Sequence, residues 1–497
     1  MLFTTTTFVM LYLPVVLAGF FVLGRRSPSA AAGWLFIASL FFYGYWMPEF
    51  TLLLVASIAI NFSLGLRIIR ADGGAGHSSR RTARLWTVLG IVFNLGLLGY
   101  YKYANFFVHN LEIVLGTEWN IAKVLLPIGI SFYSFTQIAF IVDTYRGKVR
   151  ELNVVHYGLF VTYFPHLIAG PVLHHGQMMP QFADRAIYAP RAGWVVSGLL
   201  LFCLGMFKKV VLADGISPYA DAVFKGADAG QMPTIGEAWI GAVAYTFQLY
   251  FDFSGYSDMA IGLSWMFNIR LPFNFDSPYR ATSISDFWRR WHISLSTFLR
   301  DYLYIALGGN RHGVWRRYVN LMVTMILGGL WHGASWSFVI WGALHGAYLV
   351  VNHYFRAVLG ANRCHALAGS RLWRVLAWAM TMFCVIVAWV FFRAESLGGA
   401  ARMLQAMADP GSARDTMGLL WNAGLQWSVA AGWCAVLGAI AVLAPNTNSI
   451  GRHLQARLAT PSVLRAAAGT VAVLATVFLL LVNDARGSVS AFIYFNF

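Results

Sequence analysis

Apolar residues along this chain are gathered into long windows, at 1–24, 32–47, 49–68, 85–101, 123–143, 155–173, 194–214, 236–266, 318–354, 375–392, 426–445 and 466–483. A helix that crosses the hydrocarbon core of a bilayer needs about 20 mainly apolar residues. Several windows exceed one such span. The pattern therefore predicts an all-α polytopic integral membrane protein, with roughly 11–13 membrane helices or segments and additional interfacial helices. The windows 375–392, 426–445 and 466–483 contain no charged side chain and read as lipid-facing or structural helices. Residues 70–84 and 396–416 read as surface loops. There is no tandem repeat and no low-complexity tract.

Charge fixes the expected orientation. Residues 1–24 are uncharged and are followed by Arg25 and Arg26. A cleaved signal peptide carries its positive residues before the apolar run, so this segment is expected to be a first membrane helix. The turn at Pro48–Glu49 has no basic residue, whereas the next connection holds Arg67, Arg70, Arg80, Arg81 and Arg84 against Asp72. Two basic connections flanking a neutral one follow the positive-inside rule with the N-terminus outside.

Composition supports the same class. Apolar types make up 58% of the 497 residues and charged types 11%, against about 45–50% and about 25% in soluble domains. The net charge of +16 is read as loop residues meeting anionic headgroups rather than as a nucleic-acid surface. Cys203, Cys364, Cys384 and Cys434 are scattered and form no CxxC, which supports neither a disulfide framework nor a zinc ribbon. His174–His175 alone does not make a metal site.

Ionisable residues in apolar surroundings mark candidate chemistry, and three stretches stand out. In YFDFSGYSDMAIG (250–262), Asp252 and Asp258 are six residues apart and cannot share one face of a regular helix. A break at Gly255 would let them line a cavity, or each carboxylate pairs with an arginine or with backbone N–H groups. In the stretch 283–304, Trp288, Trp291, Phe298 and Leu299 are expected to bury one side of an interfacial helix. Arg289, Arg290, Arg300 and Asp301 supply its charge, and His292 beside these cations is either a neutral proton acceptor or a surface histidine.

In ILGGLWHGASWSFVIWGALHG (326–346), His332 is set among Gly328, Gly329, Gly333 and Ala334, small residues that admit another backbone or a narrow ligand. A desolvated imidazole there is a general-base candidate, or a core histidine bonded to a carbonyl. His345 is thirteen residues on. If 332–345 were one straight helix, the two histidines could not serve one site. The HxxxxD, GxSxG, HExxH and P-loop arrangements are absent.

These stretches, together with LLPIGISFYSFTQIAFIVDTYRG (125–147), FPHLIAGPVLHH (164–175), FWRRWHISLSTFLRDYLYIALGGNR (287–311) and the terminal FIYFNF, resemble the membrane-bound O-acyltransferase family, in its bacterial alginate O-acetylation branch. The likeness covers nearly the whole chain. It implies one membrane-embedded domain over 1–497, with N-terminal helices at 1–120, a catalytic core at 121–355 and C-terminal helices at 356–497. A tunnel through a thinned centre would lead an acyl thioester from the cytoplasm to its acceptor.

The family's invariant histidine matches His332, and its second polar position, His or Asn depending on branch, matches His292. Trp331, Trp336, Ser335, Asp252, Ser254, Tyr256, Asp258, Arg289, Arg290 and Ser296 are implied as tunnel or substrate-binding residues. The resemblance implies acetyl-CoA as co-substrate, no permanently bound cofactor or metal, an inner-membrane location with a periplasmic N-terminus, and a periplasmic SGNH-type acetyltransferase partner serving an exopolysaccharide. Peptidoglycan or cellulose O-acetylation, D-alanyl transfer to teichoic acid and a proton-coupled transporter or flippase are the rival readings.

Overall fold

The computed structural model describes residues 1–72, 77–119, 121–149, 151–409, 411, 418–486 and 490–493. Every extended element among these residues is helical, as the apolar windows predict. Five helices are long and apolar enough to cross a membrane unaided: Pro48–Asp72, Ser79–Leu115, Ala192–Asp228, Arg371–Arg393 and Val463–Asp484. The bent pair Trp427–Leu443 and Thr447–Arg457 makes a sixth if taken as one span, and Phe8–Gly24 and Pro28–Gly44 are shorter apolar helices.

The chain divides into two compact units. The first comprises residues 1–206, 256–272 and 451–496, and the second residues 207–255 and 273–450.

In the first unit, aromatic rings from the N-terminal helices pack together. Phe3 and Phe8 have ring centroids 5.0 Å apart, and Tyr12 meets Phe164 edge-on at 5.4 Å. Some buried polar side chains find partners within the protein, which an apolar solvent cannot supply. Asn61 and Asn94 exchange amide hydrogen bonds of 3.3 and 2.7 Å between neighbouring helices. The window 155–173 folds as the nine-residue helix Val154–Thr162 followed by irregular chain. Tyr163, Phe164, Leu167, Ile168 and Ala169 are all buried there. Non-helical backbone in a membrane protein is tolerated where other protein surrounds it.

In the second unit the window 318–354 folds as a hairpin, Gly313–His332 running back along Trp336–Gly369. Gly333 and Ser335 between them are extended. The two backbones touch: a Cβ on Gly329 would stand 2.2 Å from the Phe338 carbonyl oxygen, and one on Gly342 would stand 2.4 Å from that of Met325. The small residues thus admit a second backbone, while at Gly333 the Phe338 ring fills the space.

Several expectations are corrected. Residues 397–408 are a helix, Leu397–Ala408, with Gly399, Ala400, Met403, Ala406 and Met407 buried on one face, and Ser396 caps it by accepting from the Gly399 N–H at 2.9 Å. The helices Pro48–Asp72 and His77–Leu98 shrink the loop expected at 70–84. Residues 73–76, 410 and 412–416 of the two expected loops, the Cys364 side chain and the last four residues of FIYFNF lie outside the described residues. Gly255 does not break its helix, which runs unbroken as Ile235–Met266. The stretch 283–304 is not one helix but three short ones, Ile284–Arg290, Ile293–Phe298 and Leu299–Tyr304. Its four large apolar residues are nonetheless buried.

The hairpin's backbone contact gives a direct test. Gly342→Leu forces overpacking costing about 1–3 kcal/mol, so less protein should survive heating as a monodisperse size-exclusion peak. Gly432→Leu, at an exposed glycine with nothing within 4 Å of its Cβ position, should leave that peak unchanged.

Candidate active site

The hairpin places His332 at the C-terminal end of a 20-residue helix, 3% exposed. Aromatic rings enclose it. Trp341 meets it edge-on at 5.1 Å, Phe392 stands at 5.1 Å, and Trp331 at 4.9 Å. The ring of His292 also stands against Trp331, at 6.2 Å. The second unit therefore brings both predicted catalytic histidines against one indole.

His292 occupies the break between Ile284–Arg290 and Ile293–Phe298, fully buried, with left-handed backbone angles of φ 44° and ψ 55°. Non-glycine residues adopt this region rarely, and its cost is met by surrounding contacts. Asn274 supplies them. Its Oδ1 accepts from the Ser294 N–H at 3.1 Å and the Ser294 hydroxyl at 2.9 Å, and its backbone carbonyl accepts from the Ile293 N–H at 2.9 Å.

The same Oδ1 lies 3.2 Å from His292 Nδ1. The bond from the Ser294 N–H fixes which end of the Asn274 amide is oxygen, so Nδ1 of His292 must be the donor. This assigns the tautomer and leaves Nε2 as the acceptor nitrogen. Phe253 packs edge-on against the imidazole at 4.8 Å.

His345 is nearer to the site than the straight-helix reading allows, because the chain reverses at 333–335. Trp341 lies between the two imidazoles, 5.1 Å from His332 and 4.9 Å from His345. His345 is fully buried, and its Nδ1 accepts from the Trp288 indole at 3.3 Å.

The remaining predicted residues separate into groups. Asp252 is buried and ion-paired to Lys209 at 2.5 Å, and Lys209 also meets Asp214 at 2.9 Å. A short π-helical turn, Lys208–Ala213, carries that lysine. The partner expected for the carboxylate was an arginine or backbone N–H groups. The signal that could have found it was two lysines inside the apolar window 194–214.

Ser254 is buried. Ser335 holds the N-cap position of its helix, and the neighbouring Trp336 is 52% exposed. Arg290 pairs outward with Asp286 at 3.0 Å, exposed Arg289 donates to the Ser285 carbonyl, and the Ser296 hydroxyl donates to that of Trp291. Tyr256 and Asp258 belong to the first unit, where Tyr256 stacks on Phe3 at 5.0 Å. Sequence reasoning missed Asn274, Lys209, Trp341 and Phe392. Among the described residues no three of His, Cys, Asp and Glu converge as metal ligands would.

Residues 122–394 match the profile of the membrane-bound O-acyltransferase family. A peptidoglycan O-acetyltransferase of Helicobacter pylori is 42% identical over 436 residues, covering 82% of this chain and 80% of the relative. Probable alginate O-acetylases of Pseudomonas aeruginosa and Azotobacter vinelandii are each 45% identical over 412 residues, covering 82% of this chain and 75% and 78% of those proteins.

The buried triad yields a stability prediction. Lys209→Met strands two carboxylates and should cost about 3–5 kcal/mol, read as a large drop in unfolding temperature of the purified protein. Asp252→Asn leaves the Lys209–Asp214 pair balanced and should lower that temperature far less. Equal losses in the two variants would show that the triad's charge balance does not matter.

Proposed function

The chain belongs to the membrane-bound O-acyltransferase family, and from that premise we propose that His332 is the general base for transfer of an acetyl group from a cytoplasmic thioester, acetyl-CoA, to a hydroxyl acceptor. The acceptor oxygen bonds to the thioester carbonyl carbon as His332 takes its proton. The carbon–sulfur bond then breaks, and the departing thiolate recovers the proton from the imidazolium, which regenerates the neutral base. His332 ends a helix whose terminal carbonyls favour positive charge, an effect of about 0.3–1 kcal/mol and up to about 2 kcal/mol when partly buried. The aromatic rings around it keep bulk water away, which strengthens such fixed dipoles. His292, with Nδ1–H committed to Asn274, offers Nε2 to the acceptor hydroxyl and orients it.

The observation that carries this reading is that two buried imidazoles both pack against Trp331. The larger setting is also proposed: an inner-membrane protein with its N-terminus outside, passing acetyl outward to a periplasmic SGNH-type acetyltransferase that decorates an exopolysaccharide. Relatives named for peptidoglycan and for alginate stand at similar identity, so peptidoglycan is the second acceptor reading.

Purified protein given acetyl-CoA should release free thiol in an acceptor-dependent manner. General base catalysis contributes about 10²–10⁴-fold, so His332→Ala should lose at least that factor while keeping its size-exclusion profile. His292→Ala and Asn274→Ala should both raise the acceptor KM more than they lower the rate at saturation. Wild-type turnover by His332→Ala would overturn the assignment.

A further inference from the structure

A cleft of about 480 Å³ lies in the second unit between Trp336–Gly369 and Arg371–Arg393, and none of His292, Trp331, His332 or Trp341 lines it. Its walls are apolar. Val351 and Phe355 of one helix and Leu376 and Met380 of the other line it while remaining exposed on the protein's outer face. Gly360, at φ 72° and ψ 163°, breaks the first helix, and Leu367 beyond the break also lines the cleft.

Two guanidiniums line the same cleft, Arg356 and Arg374, and no Asp or Glu does so among the described residues. Arg363 and Arg371 lie in the same stretch of sequence. A basic connection of this kind faces the cytoplasm by the positive-inside rule.

An apolar slot with exposed walls and two guanidiniums in its lining has the polarity of a single phospholipid. Chains lie in the slot and the phosphate meets the arginines. We propose that this cleft binds an anionic phospholipid of the inner leaflet with a phosphatidylglycerol-type headgroup. A thioester of coenzyme A also joins phosphates to a chain, but the uncharged polar side chains of the lining, among them Thr282, Ser283, Asn352 and Thr381, are few for the partners its nucleotide and pantetheine need. The proposal stands independently of the role given to His332.

Wild-type protein, Arg356→Gln/Arg374→Gln and Ala377→Trp are purified and placed in nanodiscs of phosphatidylcholine alone or with added phosphatidylglycerol. Ala377 lines the slot, so the tryptophan fills it while both arginines are retained. Phosphatidylglycerol should raise the wild-type unfolding temperature and remain bound through native mass spectrometry. The double arginine variant should lose about thirty-fold in apparent affinity, about 1 kcal/mol for each guanidinium. Ala377→Trp should retain no lipid. Equal retention by wild type and the double variant would overturn the proposal, as would displacement of the lipid by coenzyme A. Because both arginines are exposed, the double variant decides the question even if Ala377→Trp fails to fold.

Discussion

Contact between two backbones at Gly329 and Gly342 governs the rest of the second unit. At a separation that leaves no room for a Cβ, the hairpin has one workable register. That register sets the end of one helix, and with it His332, against Trp341 of the other. Lipid supplies no hydrophobic drive between helices, so close packing of small residues has to provide the attraction. The histidine's position is therefore a by-product of how tightly two helices pass.

A second constraint follows from burial. Burying a polar or charged group is costly unless it is paired, and two networks here pair such groups across the sequence. Asn274 holds the Ser294 N–H, the Ser294 hydroxyl and His292 Nδ1 with one oxygen. Lys209 holds two carboxylates. Each network fixes something local: the orientation of the His292 ring in one case and the pairing of a buried lysine beside a long helix in the other.

Much of this was legible in the sequence, because apolar windows and basic connections follow from solvent physics alone. The helical class, the burial of Trp288, Trp291, Phe298 and Leu299, and the prominence of His332 came from such patterns. Three-dimensional reversals were less legible. A straight helix through 332–345 separated His345 from His332, whereas extended residues at Gly333 and Ser335 bring both to Trp341. Asn274 carried no signal, since an isolated asparagine in a polar stretch looks like a turn residue until its partners are known. Lys209 was readable as a charge in an apolar window, but only the fold shows that it meets Asp252. At 397–408, glycine and alanine read as loop formers, although spaced small residues also make a helix face that packs closely.

The left-handed backbone at His292 narrows what evolution can try there. Asparagine is among the few non-glycine side chains that tolerate this geometry well, while valine, isoleucine and threonine are disfavoured by their branching. At this point the main chain itself restricts replacements of histidine to glycine, asparagine or aspartate, before any demand of chemistry acts.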